Sequence, residues 1–268
     1  EVYYPLPACT CNEVSMKESS SYLDQIAIVL YHPQIPENIG AVARAAANMG
    51  ISRLILVSPK NCDLSRILKM ATLAVADLVE NMELFEDLQT ALQPFNYVVG
   101  TTARTGGKRR QLQTPREMAS ELLPICHNNR IALLFGPEDR GLTNSQLRYC
   151  HTLVTIPTST FSSLNLAQAV MILCYELRMV GKQRVEQFVP RLATRRELDG
   201  MYEHLKETLL KINFINPENP DYWMQNIRRF FSRVGLQARD VKIIRGICRQ
   251  MNWYTQRMVE DIKQLEDD

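Results

Sequence analysis

Short, continuous apolar runs recur from residue 26 onward and predict the strands of a buried parallel sheet. Most run for four or five residues without alternating with polar positions, which is typical of strands covered on both faces. They occupy residues 26–30, 54–57, 97–100, 131–135 and 153–156. Because helical patterns separate these runs, the sequence indicates an α/β domain, and ligands would gather at the carboxyl ends of its strands.

Three predicted helices would cover this sheet. Residues 39–49 are rich in alanine and end at Gly50, a typical C-terminal glycine. Residues 114–117 (Thr-Pro-Arg-Glu) combine an N-cap, a first-turn proline and a capping-box glutamate, which together predict a helix start. Residues 166–177 carry one apolar stripe at helical spacing.

After residue 178 the strand signals stop and only helical patterns remain. A capping box at 194–197 predicts a helix that reaches about residue 212. Pro220 predicts the start of a second helix and Asp240 the start of a third. The sequence therefore predicts a small, all-α C-terminal domain.

These patterns divide the chain into four segments. We expect an α/β domain at residues 25–180, a linker at 181–193 and the helical domain at 194–268. Residues 1–24 mix Pro, Cys, Ser and Glu without a clear period, so we expect a poorly ordered leader there.

The composition is typical of a soluble globular protein. Of the 268 residues, 46% are hydrophobic and 22% are charged. No apolar run approaches the roughly 18 residues that cross a bilayer, and the first residues lack the pattern of a secretory signal. We therefore expect a cytoplasmic protein without a membrane partner.

Cysteine and histidine usage predicts neither disulfides nor a metal site. The seven cysteines are an odd number and widely scattered, which favours reduced thiols. The four histidines are isolated from one another and from any cysteine or acidic cluster. The net charge of +2 does not by itself indicate a nucleic-acid partner, so the local distribution of charge must decide that question.

Residues 36–44 (Pro-Glu-Asn-Ile-Gly-Ala-Val-Ala-Arg) begin a predicted helix whose residues 39–47 are small or apolar except for Arg44. Asn38 stands where a helix cap is expected, and capping alone would explain it. Arg44 lies well inside the helix, either at an exposed edge or aimed into a cleft. Spacing alone favours the exposed edge.

A second candidate segment follows the predicted strand at 97–100. Gly100-Thr-Thr-Ala-Arg104 ends this strand with small residues, which let a ligand approach the backbone. Two glycines and three consecutive bases then follow at 106–110. They are typical of a mobile, phosphate-seeking loop, although on these residues alone a solvated surface turn is the better explanation.

Two polar turns follow the predicted strands at 131–135 and 153–156. Residues 136–141 (Gly-Pro-Glu-Asp-Arg-Gly) match neither a Walker loop nor a dinucleotide fingerprint. Residues 157–165 hold more hydroxyl groups than one helix cap needs, because a single serine suffices as the cap. The remaining polar groups indicate either a bound ligand that satisfies them or a solvated loop.

In order and spacing, these segments resemble the three signature motifs of the SPOUT superfamily of S-adenosylmethionine-dependent RNA methyltransferases, in its TrmH-like branch. Residues 98–104 and the C-terminal helices are similar to the TrmJ family of tRNA ribose methyltransferases. The resemblance covers most of residues 25–250. The matching motifs are Asn38-x-Gly40-x-x-x-Arg44, Phe135-Gly136-x-Glu138-x-x-Gly141-Leu142-Thr143-Asn144, and Ile156-Pro157 with Ser162-Ser163-Leu164-Asn165-Leu166-Ala167.

The resemblance implies a SPOUT-type parallel sheet whose C-terminal part threads a trefoil knot, a rare exception to unknotted chain connections. It also implies a homodimer in which Arg44 of one subunit reaches the cofactor of the other. The implied cofactor is S-adenosyl-L-methionine. The residues implied to bind it are Thr101, Thr102, Ala103, Gly136, Ile156, Ser162, Ser163 and Leu164.

The implied reaction is methylation of a ribose 2′-hydroxyl group, with Arg44 as the central catalytic residue. The resemblance places Asn38, Glu138, Ser163 and Asn165 around it. Because an ordinary guanidinium has a pKa above about 12, we expect Arg44 to stabilise the forming alkoxide rather than to act as a base. The proton would then leave by phosphate or water.

The second motif departs from the TrmJ pattern. Many TrmJ-like proteins carry arginine after the motif-two glycine, whereas this chain has Pro137 there and Arg140 farther along. Gly-Pro-Glu-x-Arg-Gly is similar to TrmL-like enzymes, which modify the wobble nucleotide and lack a C-terminal domain. The helical extension favours TrmJ, which implies a cytidine or uridine at position 32 of the anticodon loop. The alternatives are the wobble nucleotide, rRNA, or a non-catalytic RNA-binding relative.

The helical domain holds the charge expected of an RNA-binding surface. Residues 228–257 contain eight bases and one acid, and such charge supplies the salt-sensitive part of RNA affinity. We expect the interleaved aromatic residues to lie mainly in the core of this domain. The residues predicted to contact tRNA are Arg104, Lys108, Arg109, Arg110, Arg228, Arg229, Arg245 and Arg249.

Overall fold

The computed structural model describes residues 22–104, 112–159, 163–181, 189–231 and 235–267. Its centre is a seven-stranded sheet in which every described pairing is parallel. The strands lie in the order β3-β2-β1-β6-β4-β7-β5. They are β1 (Ile26–Tyr31), β2 (Leu54–Val57), β3 (Glu83–Phe85), β4 (Tyr97–Thr101), β5 (Leu112–Gln113), β6 (Ile131–Phe135) and β7 (Thr152–Val154).

Helices cover both faces of this sheet and form the whole C-terminal part of the described chain. In the first domain they are α1 (Pro36–Met49), α2 (Leu64–Ala71), α3 (Ala76–Glu80), α4 (Leu88–Leu92), α5 (Pro115–Cys126), α6 (Asn144–Leu147) and α7 (Leu166–Val180). The C-terminal helices are α8 (Arg195–Lys211), α9 (Pro220–Phe231) and α10 (Ala238–Asp267). This arrangement confirms the predicted α/β sheet and helical C-terminal region.

The continuous apolar runs form strands because both of their faces are buried. In β1, Ile26, Ile28 and Leu30 join the core beneath α1, α2, α5 and α7. Ala27 and Val29 point the other way, into the core shared with α4 and α6. Alternate side chains of one strand therefore enter two different cores, as the period of two in a strand requires.

The sequence patterns did not predict the two short strands β3 and β5 at the edges of the sheet. β3 and β5 contain only three and two residues, and their side chains are half-buried or exposed. Neither strand carries an apolar run long enough to be distinguished from loop sequence. The helices α2, α3, α4 and α6 were not predicted either, because all are eight residues or shorter.

The folded domain begins earlier than predicted. Tyr22 and Leu23 were assigned to a poorly ordered leader, but their side chains are only 8% and 1% exposed. The Tyr22 hydroxyl donates a hydrogen bond to the Leu177 carbonyl at 3.0 Å, and burial raises the pKa of the Tyr22 phenol. Apolar contact with α7 therefore fixes these two residues, whereas residues 1–21 lie outside the described residues.

The described cysteines carry free thiols, as expected. Cys126, Cys150, Cys174 and Cys248 are buried, and Cys62 is half-buried. Burial raises the pKa of Cys126 and of Cys174 to about 12, so both remain protonated at neutral pH. They therefore behave as small apolar core residues.

Two buried asparagines fasten the helical domain to the sheet domain. The Asn129 Oδ1 atom accepts from the Leu192 N–H at 2.7 Å, and Asn96 Nδ2 donates to the Leu192 carbonyl at 2.7 Å. Both polar groups of one buried backbone residue are thus satisfied by side chains from the other domain. Asn129 Nδ2 also donates to the Ile125 and Pro190 carbonyls, at 2.9 and 3.4 Å. The start of the helical domain is therefore held in one position.

We expect Asn129→Ala to destabilise the protein by about 2–4 kcal/mol, because it leaves the buried Leu192 N–H without its acceptor. Denaturant unfolding measures this change. The neighbouring Asn128 is exposed, so Asn128→Ala is the matched control and should change stability by less than about 0.5 kcal/mol. Equal stability of the two variants would show that the clamp does not contribute.

Candidate active site

Four adjacent strands deliver the candidate site residues to one edge of the sheet. The neighbouring strands β1, β6, β4 and β7 are parallel, so their carboxyl ends lie side by side. The first motif follows β1, the second follows β6, residues 101–104 end β4, and the third motif follows β7. The topology therefore brings together segments that are far apart in the sequence, such as those of Asn38 and Asn165, which are 127 positions apart.

A chain of hydrogen bonds joins the three motifs. Asn165 Nδ2 donates to Asn38 Oδ1 at 3.1 Å, and Asn38 Nδ2 donates to Glu138 Oε1 at 2.9 Å. The second carboxylate oxygen, Glu138 Oε2, accepts from the Gln34 N–H at 3.0 Å. Each donor in this chain fixes the orientation of the next group, so the three polar side chains form one connected arrangement.

Two of these side chains have roles that spacing alone did not predict. Asn38 is not a helix cap, because α1 begins at Pro36 and its N-cap, Ile35, makes no side-chain capping bond. Asn165 is the cap of α7: its Oδ1 accepts from the Ala167 N–H at 2.9 Å. Since Asn165 uses its oxygen for the cap, its amide nitrogen remains to reach Asn38.

The first motif also fixes the position of α1 at its N-terminal end. Arg66 in α2 makes a two-bond ion pair with Glu37, with distances of 2.8 and 2.9 Å. The guanidinium lowers the pKa of the Glu37 carboxyl, which stays ionised beside Asn38. Gly40 lies one turn farther along, where a Cβ atom would lie 2.1 Å from the Ile67 carbonyl oxygen. The glycine therefore permits α1 and α2 to pack with their backbones in contact.

The second motif is a tight turn that needs its glycines. A Cβ atom on Gly136 would lie 2.4 Å from the Leu142 nitrogen, so no larger residue fits there. Gly141 has a φ of 65°, in the left-handed region that favours glycine. Arg104, at the end of β4, donates to the Arg140 and Leu142 carbonyls at 2.9 and 3.2 Å. Arg104 was predicted to contact RNA, but its guanidinium is partly committed to holding this turn.

The residues predicted to bind the cofactor surround this edge. Thr101 Oγ1 donates to the Leu134 carbonyl at 3.2 Å, and the Thr102 N–H donates to the Val154 carbonyl at 2.9 Å. Ile156 and Leu164 are half-buried, and within the described residues neither backbone N–H has an acceptor. Both residues lie on the connection between β7 and α7, and backbone N–H groups without a protein acceptor are the kind of donor that a polar ligand satisfies.

For the other residues predicted to bind the cofactor, the structure gives mainly their exposure. Ala103 and Ser163 are exposed, and Gly136 is half-buried. Ser162 lies outside the described residues, as do Lys108, Arg109 and Arg110, which were predicted to contact RNA. Those four predictions remain predictions.

Arg44 lies on a different side of α1 from Asn38 and the polar chain. It is exposed, and within the described part of the chain no hydrogen bond or ion pair holds its guanidinium. Asn38 and Arg44 are six residues apart on α1, which places them about 9 Å apart along the axis and about 120° apart around it. The predicted exposed edge is thus confirmed, and Arg44 does not join the Asn165–Asn38–Glu138 chain.

The last helix presents a separate basic surface. Lys242, Arg245, Arg249 and Trp253 follow one another at helical spacing on α10, and all four are exposed. Val241 and Cys248 lie on a different side of the helix, buried against the rest of the domain. We call the four exposed residues the basic face of α10.

Arg228 has a different role from the one predicted. Its guanidinium pairs with Asp199 at 3.2 Å and Glu203 at 3.7 Å, and lies 4.4 Å from the centre of the Tyr202 ring. These carboxylates neutralise its charge, so Arg228 stabilises the joint between α8 and α9 rather than a free RNA-binding surface. Its neighbour Arg229 is exposed.

Most of the aromatic residues interleaved with the basic residues do not lie in the core of the helical domain, contrary to the prediction. Trp223 is 40% exposed, Phe230 63% and Trp253 53%, so only Phe231 packs partly against the core. That core consists instead of Met201, Tyr202, Ile215, Met224 and other mainly aliphatic residues. Exposed aromatic rings next to arginines are available for stacking on bases.

Comparison with known proteins decides the family. The SpoU rRNA Methylase family matches residues 25–175, and the C-terminal domain of the tRNA methyltransferase TrmJ matches residues 196–263. A TrmJ from Pseudomonas aeruginosa is 37% identical over 242 residues, covering 85% of this chain and 94% of its own length. The chain belongs to the TrmJ family. TrmJ from Pectobacterium atrosepticum is 38% identical and covers 84% of this chain and 95% of its own length.

Solved structures agree with the TrmJ assignment. The crystal structure of TrmJ from Z. mobilis superposes with a TM-score of 0.71 at 29% identity, covering 84% of this chain and 98% of that one. A probable methylase family protein from Haemophilus influenzae superposes with a TM-score of 0.57 and covers 88% of this chain and 99% of that one. The match extends over both domains of the TrmJ architecture, which confirms the resemblance drawn from the motifs.

Within the described residues, no helix is long and apolar enough to cross a membrane. Nor does the described part of the chain contain a group of three or more His, Cys, Asp or Glu side chains that could hold a metal ion.

Proposed function

We propose that this TrmJ-family protein transfers a methyl group from S-adenosyl-L-methionine to the ribose 2′-hydroxyl of cytidine or uridine at position 32 of tRNA. The curated relatives named above are tRNA 2′-O-methyltransferases: the P. aeruginosa protein acts on cytidine, uridine and adenosine, and the P. atrosepticum protein acts on cytidine and uridine. The observation that carries the proposal is the hydrogen-bonded chain from Asn165 through Asn38 to Glu138. It links one polar side chain from each of the three motifs beside the loops predicted to bind the donor.

The loops around this chain suit the proposed methyl donor. Ile156 and Leu164 offer backbone N–H groups, and Gly136 permits close approach of the second-motif backbone. These are neutral hydrogen-bonding groups rather than an anion cradle, which agrees with a donor that carries no phosphate. S-adenosyl-L-methionine, when bound, supplies a methyl group activated by the neighbouring sulfonium.

Arg44 supplies the charge that the reaction needs. A ribose hydroxyl is a weak nucleophile, and negative charge develops on its oxygen as the proton leaves. A guanidinium stays protonated at neutral pH, so Arg44 lowers the energy of the forming alkoxide and orients it by hydrogen bonds. The proton passes to water or to an RNA phosphate.

The geometry of Arg44 supports a homodimer with composite sites. Because Arg44 lies on a different side of α1 from Asn38, it is placed to serve the site of a second subunit. Large apolar side chains are exposed at the start of α1 and on α7, among them Ile35 at 44%, Tyr175 at 48% and Met179 at 41%. Since α1 packs on α7, these residues lie on adjoining helices and form a candidate dimer surface.

The finer fold prediction belongs to the same proposal. We place the trefoil knot in the segment from β6 to α7, where the second and third motifs meet the end of β4. The Gly136–Leu142 approach and the Asn165–Asn38 bond support this placement, because they hold the two motif loops close to their neighbours. A cytoplasmic location follows from the tRNA substrate.

We propose that the basic face of α10 binds the tRNA backbone. The double variant Arg245→Glu and Arg249→Glu should weaken tRNA binding at least tenfold at 0.1 M salt and flatten its salt dependence, because two cations are lost and repulsion is added. Lys211→Glu, at the end of α8 and outside this face, is the control. Binding and salt dependence equal to those of the control would refute this placement.

The test of the overall function is a methyl-transfer assay on unmodified tRNA. We expect a methyl group on the 2′-oxygen of nucleotide 32 and none on the wobble nucleotide. Methylation of the wobble ribose would instead support the TrmL-like interpretation of Pro137 and Arg140. Transfer to rRNA alone would show that tRNA is not the substrate.

A further inference from the structure

A second cleft opens beside the polar chain, at the carboxyl ends of β1, β2 and β6. Its volume is about 560 Å³, which lies in the range of small-ligand sites and suits one nucleotide. None of its lining side chains was predicted to be part of the site. It is lined by His32, Gln34, Ser58, Pro59, Lys60, Asp139 and Arg140.

Two of the residues that line this cleft have unusual backbone conformations. His32 follows β1 with a φ of 50°, and Ser58 follows the neighbouring β2 with a φ of 44°. Such angles are uncommon for residues other than glycine and cost about 1 kcal/mol or more each. Only four described non-glycine residues adopt them, and two of the four line this one cleft. Strain at two neighbouring strand ends indicates a site held for function.

The cleft is held open by hydrogen bonds and is connected to the active site. The Lys60 N–H donates to the Pro33 carbonyl at 3.0 Å, which fixes the segment after β2 against the segment after β1. The Gln34 N–H donates to Glu138 Oε2 at 3.0 Å, so one wall shares a carboxylate with the polar chain. Arg104 holds the Arg140 backbone at 2.9 Å. The walls are therefore fixed before any ligand binds.

The charged groups at the rim are available to a ligand. Lys60, Asp139 and Arg140 are exposed, and no ion pair engages their side chains within the described residues. Two cations can hold a phosphodiester, while the Asp139 carboxylate can accept hydrogen bonds from a ribose hydroxyl or a base amino group. The half-buried His32 ring offers a surface for stacking.

We propose that this cleft binds the RNA nucleotide next to the methylated one, with Lys60 and Arg140 on the phosphate that joins the two. The inference rests on the proposed function, since it assumes that the target ribose lies beside Glu138 and Asn38. The mixed charge and the single-nucleotide size favour a segment of RNA over a free phosphate, which needs neither a stacking surface nor a carboxylate. The cleft would thus position the target ribose in the site.

The test measures tRNA binding by Lys60→Ala and by Arg140→Ala as a function of salt. Each variant should weaken binding about tenfold at 0.1 M salt, and the double variant should reduce the slope of log K against log salt by about 1, because the contact to one phosphate is then lost. S-adenosyl-L-methionine binding should stay unchanged. Lys69→Ala is the control, since Lys69 is an exposed lysine on the adjacent α2 outside the cleft.

Replacing one RNA phosphate by an uncharged group shows which phosphate Lys60 and Arg140 contact. Anticodon stem-loops with a methylphosphonate on the 5′ or the 3′ side of nucleotide 32 remove one charge at a time. One of these substitutions should weaken binding to the unaltered protein, have a smaller effect on Lys60→Ala or Arg140→Ala, and have no further effect on the double variant, as expected for groups in contact.

Additive effects of the protein and RNA changes, or variants equal to Lys69→Ala, would overturn the cleft proposal. This outcome is distinguishable from failure of the proposed function, because binding is measured without chemistry. If the unaltered protein binds tRNA through this cleft but transfers no methyl group to it, only the proposed activity fails.

Discussion

Replacing Arg44 by lysine should reduce methyl transfer about 10²–10³-fold while S-adenosyl-L-methionine binding is retained, as for the loss of one preorganised donor to a developing oxyanion. The lysine keeps the positive charge, but it lacks the planar, multiply donating geometry of the guanidinium. Arg44 is exposed and makes no hydrogen bond or ion pair within the described residues, so the substitution should leave stability unchanged. Single-turnover kinetics and calorimetry with the donor measure the two effects.

Mixed dimers show which subunit supplies Arg44. The partner variant is Asn165→Asp, which keeps an acceptor for the cap of α7 but cannot donate to Asn38. If Arg44 acts across the interface, a mixed dimer of Arg44→Ala and Asn165→Asp contains one intact site. Random mixing of the two inactive proteins should then restore about a quarter of the unaltered activity, because half of the dimers are mixed. No recovery, although mixed dimers form, would place Arg44 within its own subunit's site.

Gly40→Ala should destabilise the protein by about 2–4 kcal/mol, through forced separation of two packed helices. The added Cβ atom would lie 2.1 Å from the Ile67 carbonyl oxygen, and backbone cannot rotate away as a side chain can. Because Asn38 is on the same helix, separation of α1 from α2 should also weaken the polar chain. Denaturant unfolding and methyl transfer should therefore both report the change.

Gly200 offers a matched control for this substitution. It lies inside α8, where the nearest atom to an added Cβ is the end of the Arg245 side chain at 3.7 Å. Alanine has the higher helix propensity, so Gly200→Ala should stabilise the protein by up to about 1 kcal/mol. If the two variants had the same sign of effect, the close approach of α1 and α2 would not be the reason for Gly40.

The sequence predicted the central strands well because burial on both faces leaves an unmistakable pattern. The run at 26–30 became β1 with every side chain buried. Edge strands β3 and β5 are too short and too exposed to leave such a pattern. Local signals therefore locate the centre of a parallel sheet better than its edges.

The motifs in the sequence predicted candidate site residues, but they did not predict which of these residues contact one another. Asn38 and Asn165 were both recognised, yet their bond links residues that are 127 positions apart, and no local pattern encodes it. Arg228 was misassigned for the same reason, since its partners Asp199 and Glu203 lie on another helix. The cleft at His32 and Lys60 left only one local signal, a lysine shortly after a buried strand. The arrangement of strands and helices brings these distant residues together, and residue spacing along the sequence does not reveal that arrangement.

Mapping the product of methyl transfer on a complete, unmodified tRNA shows whether the protein methylates the ribose of nucleotide 32. The tRNA is incubated with the protein and labelled S-adenosyl-L-methionine, digested to nucleosides and oligonucleotides, and analysed by mass spectrometry. If the proposed function is correct, the product contains a 2′-O-methylated cytidine or uridine at position 32, and this methylation is lost when Arg44→Lys replaces the unaltered protein. A methyl group on a base, or donor binding without any transfer to RNA, would contradict it.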